Sequence, residues 1–117
     1  MSEAITTARP YAQAAFDEAQ HLSDLKGWSE ALVSLAETIC HPEVRSIISS
    51  PRVAQAQLES LMDGLMGGKP TAQQRNFVRI LVDNQRLLLL PEIVAIFEAL
   101  RAEAEKTVNA EIGRAHV

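Results

Sequence analysis

The stretch that decides the fold runs from Asn76 to Leu100 and reads NFVRILVDNQRLLLLPEIVAIFEAL. Its first part is an apolar segment with helical spacing that ends at Asn84, and Pro91 suits the first turn of a second helix. Residues 85–90 form the predicted turn between them. Because most of the bulky apolar side chains lie in this hairpin, we expect the hydrophobic core to form around it.

The composition of the whole chain favours a helical domain. Its 117 residues fit one domain with a single core, and 47% of them are apolar, many being alanine. Alanine-rich cores let backbones pack closely, which favours helices, and the period-two alternation of half-buried strands is scarce. We therefore predict an all-α fold, and the chain taken in order predicts a six-helix bundle.

Charge and cysteine content argue against several functional classes. The net charge is −4, and the eleven basic residues show no cluster, so nucleic-acid binding is not expected. Cys40 is the only cysteine, which excludes an internal disulfide. The N-terminus lacks the pattern of a signal peptide, and no apolar run approaches the roughly 20 residues that cross a bilayer. We expect a soluble, cytoplasmic protein without direct membrane insertion.

The first predicted helix, over about residues 5–20, is apolar over an unusually wide arc. Its central stripe consists of Ile5, Ala8, Ala12, Ala15, Phe16 and Ala19. Tyr11 and Ala14 lie on the shoulder of that stripe. Pro10 predicts that the regular helix starts near Arg9 or is distorted there. Such an arc fits either two neighbours within the domain, or one neighbour within it and one external partner.

The fifth predicted helix has the same wide apolar arc. Thr71 and Gln74 match a capping box, so the helix should start there. Its predicted inner face consists of Phe77, Leu81 and Asn84. Beside that face lie Asn76 and Ile80 on one shoulder, and Val78 and Val82 on the other. Again the arc is wider than one packing contact needs.

The other helix boundaries follow from caps and helix breakers. Ser23 and Asp24 are candidate caps for the second helix, and Pro42 is placed to open the third. The glycine pair at 67–68 stops the fourth helix, and Pro91 opens the sixth.

No catalytic, cofactor or metal site is predicted. His21, His41 and His116 lie in unrelated places, and Cys40 beside His41 is not a catalytic arrangement by adjacency alone. Metal sites need ligands clustered at fixed spacing, which the chain does not offer. The segment 67–69, Gly-Gly-Lys, lacks the spacing and the preceding strand of a phosphate-binding loop. We expect a protein whose function is to bind other proteins.

Two segments carry a resemblance to a known family. Residues 8–16, ARPYAQAAF, resemble the N-terminal signature of the delta subunit of bacterial rotary ATP synthase, the counterpart of the mitochondrial oligomycin sensitivity conferral protein. Residues 76–93, with NFVR, NQRL and LPEI in order, resemble the later signature of the same family. Their order and separation extend the resemblance over about residues 2–111.

The resemblance implies that residues 1–110 are the N-terminal helical-bundle domain of a non-catalytic stator subunit without a cofactor. In this family that domain sits on the catalytic alpha-beta hexamer, and its first and fifth helices form a groove for the N-terminal helix of an alpha subunit. The groove positions implied here are Tyr11 and Ala14 on the first helix, and Asn76 and Ile80 on the fifth. The implied location is peripheral, at the cytoplasmic face of the bacterial inner membrane.

The chain departs from the family at residues 111–117, EIGRAHV. Family members continue into a C-terminal domain that binds the b subunit of the peripheral stalk, so we expect binding of the b subunit only through that missing domain. The tail reads as a translated sequencing adapter joined to a truncated gene, and we predict that it is artefactual. A short natural tail after an early stop is the alternative.

Two other functional classes are weighed against this one. An all-helical RNA-binding regulator of the antitermination type would share the bundle but would need a basic face. A small enzyme would need a cleft in which His21 or His41 meets a carboxylate.

Overall fold

The computed structural model describes residues 3–65 and 70–116, and the side chains of residues 63, 65 and 107–116 lie outside the description. Within these residues the chain is all-α, which confirms the predicted architecture. The helices are α1 (Glu3–His21), α2 (Leu25–Ile39), α3 (Pro42–Ser49), α4 (Gln55–Leu65), α5 (Ala72–Asp83) and α6 (Leu90–His116), with a 3-10 turn (Leu87–Leu89) before α6. None of the described helices combines the length and the apolar character needed to cross a bilayer.

Helix α6 is the centre of the bundle, because both α1 and α2 pack along it. The face of α1 that meets the core carries four alanines that are fully buried: Ala8, Ala12, Ala15 and Ala19. Small side chains shorten the distance between packed helices, so this stripe brings the α1 backbone close to its neighbours. Phe16 then fills the remaining space by packing edge-on against Phe97, with ring centroids 5.9 Å apart.

Helix α5 joins this core through Phe77, as the sequence predicts. Its ring packs edge-on against Trp28 of α2, with centroids 5.9 Å apart, and Leu81 one turn later is fully buried. The predicted capping box is present: the Gln74 N–H donates to Thr71 Oγ1, and the Thr71 N–H donates to Gln74 Oε1, both at 3.1 Å.

The C-terminus of α5 is closed by a Schellman turn. Gln85 has a positive φ of 58°, its N–H donates to the carbonyl of Val82, and the next N–H, of Arg86, donates to Leu81. Asn84 is the C-cap of the helix and is exposed, so its predicted place on the inner face is wrong. The reason is that α5 ends at Asp83, so Asn84 already belongs to the turn that leads to the 3-10 segment.

The end of α1 has the same turn, and this changes the role expected for Ser23. Ser23 has a φ of 55° and closes α1, while the N–H of Asp24 donates to Ala19 at 2.8 Å. Only Asp24 caps α2, its carboxylate accepting from the Gly27 N–H at 3.2 Å.

Helix α1 starts earlier than Pro10 predicts. It begins at Glu3 and continues through Pro10, which is exposed. The bond that proline cannot make would go to the carbonyl of Thr6, which is also on the exposed side and open to water. The predicted stop of α4 at residues 67–68 lies outside the described residues. Helix α6 continues through residues 111–116, and the artefactual origin of the tail stays a prediction.

Two helical glycines of this chain should respond differently to replacement by alanine. A Cβ at Gly27 would collide with the Asp24 carboxylate that caps α2, whereas a Cβ at Gly64 of α4 meets no atom within 4 Å. Gly64→Ala should therefore raise the free energy of unfolding by about 0.5–1 kcal/mol, the usual gain of alanine over glycine in a helix. In Gly27→Ala the loss of the Asp24 cap should cost about 1 kcal/mol of stability. This loss should cancel the gain from alanine or exceed it. Urea denaturation of both variants measures the difference, and equal stabilisation would contradict this account of the cap.

Candidate protein-binding surface

The two shoulders of α5 differ sharply in how much of them is covered. Val78 and Val82 are each 2% exposed and lie on the side where α4 packs. The two helices are also linked there by an ion pair between Arg79 Nε and Glu59 Oε1 at 3.9 Å. On the opposite shoulder Ile80 is 48% exposed. The bundle therefore covers one shoulder of α5 and leaves the other open.

Helix α1 also has an open shoulder, at the positions that the sequence singled out. Tyr11 is half-buried, with its ring against the hydrophobic core, and its hydroxyl makes no hydrogen bond to any residue that the structure describes. Ala14, almost one turn further on, is exposed, while Ala15 next to it is fully buried. Tyr11 thus presents a partly free ring edge and an available hydroxyl.

A depression lies between the start of α1 and the turn that follows α5. A cavity of about 410 Å³ is lined by Ala4 and Thr7 of α1 and by Gln85 and Arg86 after α5, among others. In the N-to-C direction of the chain, α1 runs away from this cavity, whereas α5 runs towards it. The start of α1 therefore lies close to the turn after α5.

None of the four predicted residues lines this depression. At 1.5 Å per residue, Tyr11 lies about 6 Å along α1 from Thr7, and Ile80 lies about 4.5 Å before Asp83, where α5 ends. Ala14 and Asn76 lie about one turn further along the same two helices. We call Tyr11, Ala14, Asn76 and Ile80 the α1–α5 surface; that they form one continuous surface is the prediction that the family resemblance makes.

The four side chains of the α1–α5 surface differ in size and polarity. Ile80 and the Tyr11 ring supply apolar area, and the small Ala14 allows close approach. Asn76 is exposed, and its amide makes no hydrogen bond within the described chain. It also lines a smaller depression of about 220 Å³ with Glu59 of α4 and with Val78 and Arg79 of its own helix, so it lies at the edge of the open shoulder, towards α4. A polar group at such an edge can fix the register of a bound helix by hydrogen bonding.

Sequence reasoning did not single out the residues that line the depression of about 410 Å³. Thr7 precedes Tyr11 by four residues and so shares its side of α1, a spacing that was available to find it. Arg86 is different, because it follows α5 and only the turn at Gln85 brings it to the cavity.

The residues considered for catalysis lie apart from this surface. His21 and His41 are exposed at the ends of α1 and α2, and Cys40 is an exposed free thiol. The side chain of His116 lies outside the described residues. Within the part of the chain that the structure describes, no three histidine, cysteine or acidic side chains group as metal ligands.

Comparison with known proteins places these features in a family. The sequence model of the family described as "ATP synthase delta (OSCP) subunit" matches residues 7–116. The ATP synthase subunit delta of Thioalkalivibrio sulfidiphilus is 44% identical over 110 residues, which are 94% of this chain and 62% of that protein. The protein of the same name from Teredinibacter turnerae is 40% identical over 116 residues, 99% of this chain and 65% of its own. That from Aromatoleum aromaticum is 44% identical over 115 residues, 98% of this chain and 65% of its own.

The chain thus spans a little less than two thirds of the length of these relatives. The match covers both signature segments, α1 from residue 7 onwards and the other five helices, including part of residues 111–117. This chain belongs to the ATP synthase delta (OSCP) subunit family.

Proposed function

We propose that this chain is the hexamer-binding part of a non-catalytic stator subunit of proton-translocating ATP synthase. The observation that carries the proposal is the unequal covering of α5, with Val78 and Val82 buried under α4 and Ile80 left 48% exposed. Apolar side chains left partly exposed on α1 and α5 offer a partner apolar area to cover. Family membership supports the stator role.

The proposed partner is the amphipathic N-terminal helix of an ATP synthase alpha subunit. A helix laid between α1 and α5 would bury the exposed part of Ile80 and the ring edge of Tyr11. Ala14 leaves room for its backbone, and Asn76 offers an amide at the edge. This is the helix-in-groove mode of recognition, in which a few apolar anchors of the bound helix supply most of the affinity.

The proposed role is mechanical. Through this contact the subunit would join the catalytic alpha-beta hexamer to the peripheral stalk and keep the hexamer from turning with the rotor during proton-driven ATP synthesis. Such a joint needs slow dissociation, which desolvated anchors provide. Contact with the b subunit of the stalk is assigned to the part of the longer relatives that this chain does not span. The protein would then act as a peripheral subunit at the cytoplasmic face of the bacterial inner membrane.

A charge placed on the open shoulder of α5 should abolish partner binding. The ligand is a peptide of about 20 residues, a length that forms a helix of about 30 Å, taken from the N-terminus of an alpha subunit. Ile80→Lys should weaken its binding at least about tenfold, since the lysine charge would be desolvated without a partner. Isothermal titration calorimetry measures the affinity.

Ile47 of α3 provides the matched control, because it is an isoleucine of similar exposure, 41%, away from the α1–α5 surface. Ile47→Lys should bind the peptide as the unchanged chain does. Equal affinity in both lysine variants, or no binding by the unchanged chain at high micromolar peptide, would rule out this surface as the binding site.

Two substitutions of Tyr11 separate its ring from its hydroxyl. Tyr11→Ala removes the buried ring area and should cost about 2 kcal/mol of binding free energy, the size expected of an aromatic anchor. Tyr11→Phe keeps the ring and should cost only about 0.5–1.5 kcal/mol, the net value of one hydrogen bond. The same calorimetric titration measures both losses. If the two variants bound the peptide as tightly as the unchanged chain, Tyr11 would be a bundle residue and no part of the interface.

A further inference from the structure

Glu18 of α1 differs from the other half-buried acidic residues that the structure describes. Each of the others has a favourable neighbour, which is a helix N-terminus, an arginine or a serine hydroxyl. These residues are Asp24, Glu59, Glu92 and Glu98. Within the described residues the Glu18 carboxylate makes neither a hydrogen bond nor an ion pair. A partly buried charge that lacks a partner is unfavourable, because it has lost hydration without compensation.

The position of Glu18 along its helix is also unfavourable for a carboxylate. Helix α1 ends at His21, so Glu18 lies in its last turn. The carbonyl groups at this end give a helix a partial negative charge, which disfavours an anion and favours a cation. The residues four positions away, Ala14 and Leu22, cannot balance the charge, and His21 forms no ion pair with Glu18. No contact within the described chain therefore explains this carboxylate.

Glu18 lies on the same side of α1 as Tyr11. The two residues are seven positions apart, which is about 20° short of two full helical turns and about 10.5 Å along the axis. Ala14 lies between them, four positions before Glu18. Glu18 thus extends the α1 part of the α1–α5 surface by about one turn. Since the four residues that define that surface are uncharged, Glu18 adds a group that can select a partner by its charge.

We propose that Glu18 binds a lysine or arginine side chain of the helix that covers the α1–α5 surface. This inference rests on the proposed function and describes its partner more closely: the bound helix carries a basic residue about 10 Å from the residue that packs on Tyr11. The ion pair supplies the counter-charge that Glu18 lacks and brings a cation to the negative end of α1. Glu18 is then a residue that determines which partner helices are accepted.

The stability of the chain alone tests whether Glu18 lacks an internal partner. Glu18→Gln removes the charge and keeps the size of the side chain. Because the carboxylate is unfavourable where it lies, the urea concentration at the midpoint of unfolding should stay the same or rise in this variant. A lower midpoint would show that the charge is stabilised within the chain itself, and it would overturn the proposal.

Calorimetric titration with the N-terminal peptide of an alpha subunit tests the ion pair. At low salt Glu18→Gln should weaken binding about two- to fivefold, the range of a partly exposed pair, and about 1 M salt should remove the difference. The matched control is Asp17→Asn, which changes the net charge equally at an exposed neighbour bonded to Gln13 Nε2 at 2.9 Å, and it should bind as the unchanged chain does. Replacing the basic residues of the peptide by glutamine in turn should reveal one after whose loss Glu18→Gln has no further effect.

Three binding results would overturn this inference and leave the proposed function intact. The first is that Glu18→Gln binds the peptide as tightly as the unchanged chain at low salt. The second is equal weakening by Asp17→Asn, which would show an effect of net charge alone. The third is a peptide series in which no basic residue couples to Glu18. If the unchanged chain did not bind the peptide at all, the proposed function would fail together with this inference.

Discussion

The close contact of α1 with the core is the constraint on which the rest of this structure depends. Ala8, Ala12, Ala15 and Ala19 are all fully buried, so α1 lies close against its neighbours along most of its length. A larger side chain at any of these positions would push α1 outwards and separate Phe16 from Phe97. The same contact fixes the rotation of α1 about its axis. Tyr11 and Ala14 are thereby held at the edge of the bundle and not within it.

The second half of the candidate site follows from the placing of α4. Helix α4 packs chiefly on α5 and covers the shoulder formed by Val78 and Val82. With α4 committed to that side, Ile80 remains uncovered on the other. The α1–α5 surface is therefore made of side chains of α1 and α5 that the internal packing of the bundle does not cover. The proposed partner helix would cover Ile80 on that side.

Much of the fold could be predicted because its signals are local. The capping box at Thr71 and Gln74 and the burial of Phe77 and Leu81 depend on spacings within a few residues, and the structure confirms them. The fate of Pro10 was harder to foresee, since a helix tolerates proline where the freed carbonyl faces water. The role of Ser23 also depended on how α1 ends, because it closes that helix instead of capping the next.

The candidate site could be predicted only in part. Helical periodicity placed Asn76 and Ile80 on one shoulder and the two valines on the other, but it could not tell which of the shoulders α4 covers. The family resemblance, and not the pattern, singled out the open one. The depression beside Gln85 could not be predicted as a whole, because its lining residues come from the start of α1 and from the segment after α5, which are far apart in the chain.

The most direct test of the central claim is to observe contacts between the chain and the N-terminal peptide of an alpha subunit in solution. Intermolecular nuclear Overhauser effects in the labelled complex report protons that lie close together across the interface. The account predicts such effects from the peptide to the methyl groups of Ile80 and to the ring of Tyr11, and none to the methyl groups of Ile47. Effects at Ile47 with none at Ile80 and Tyr11 would contradict it.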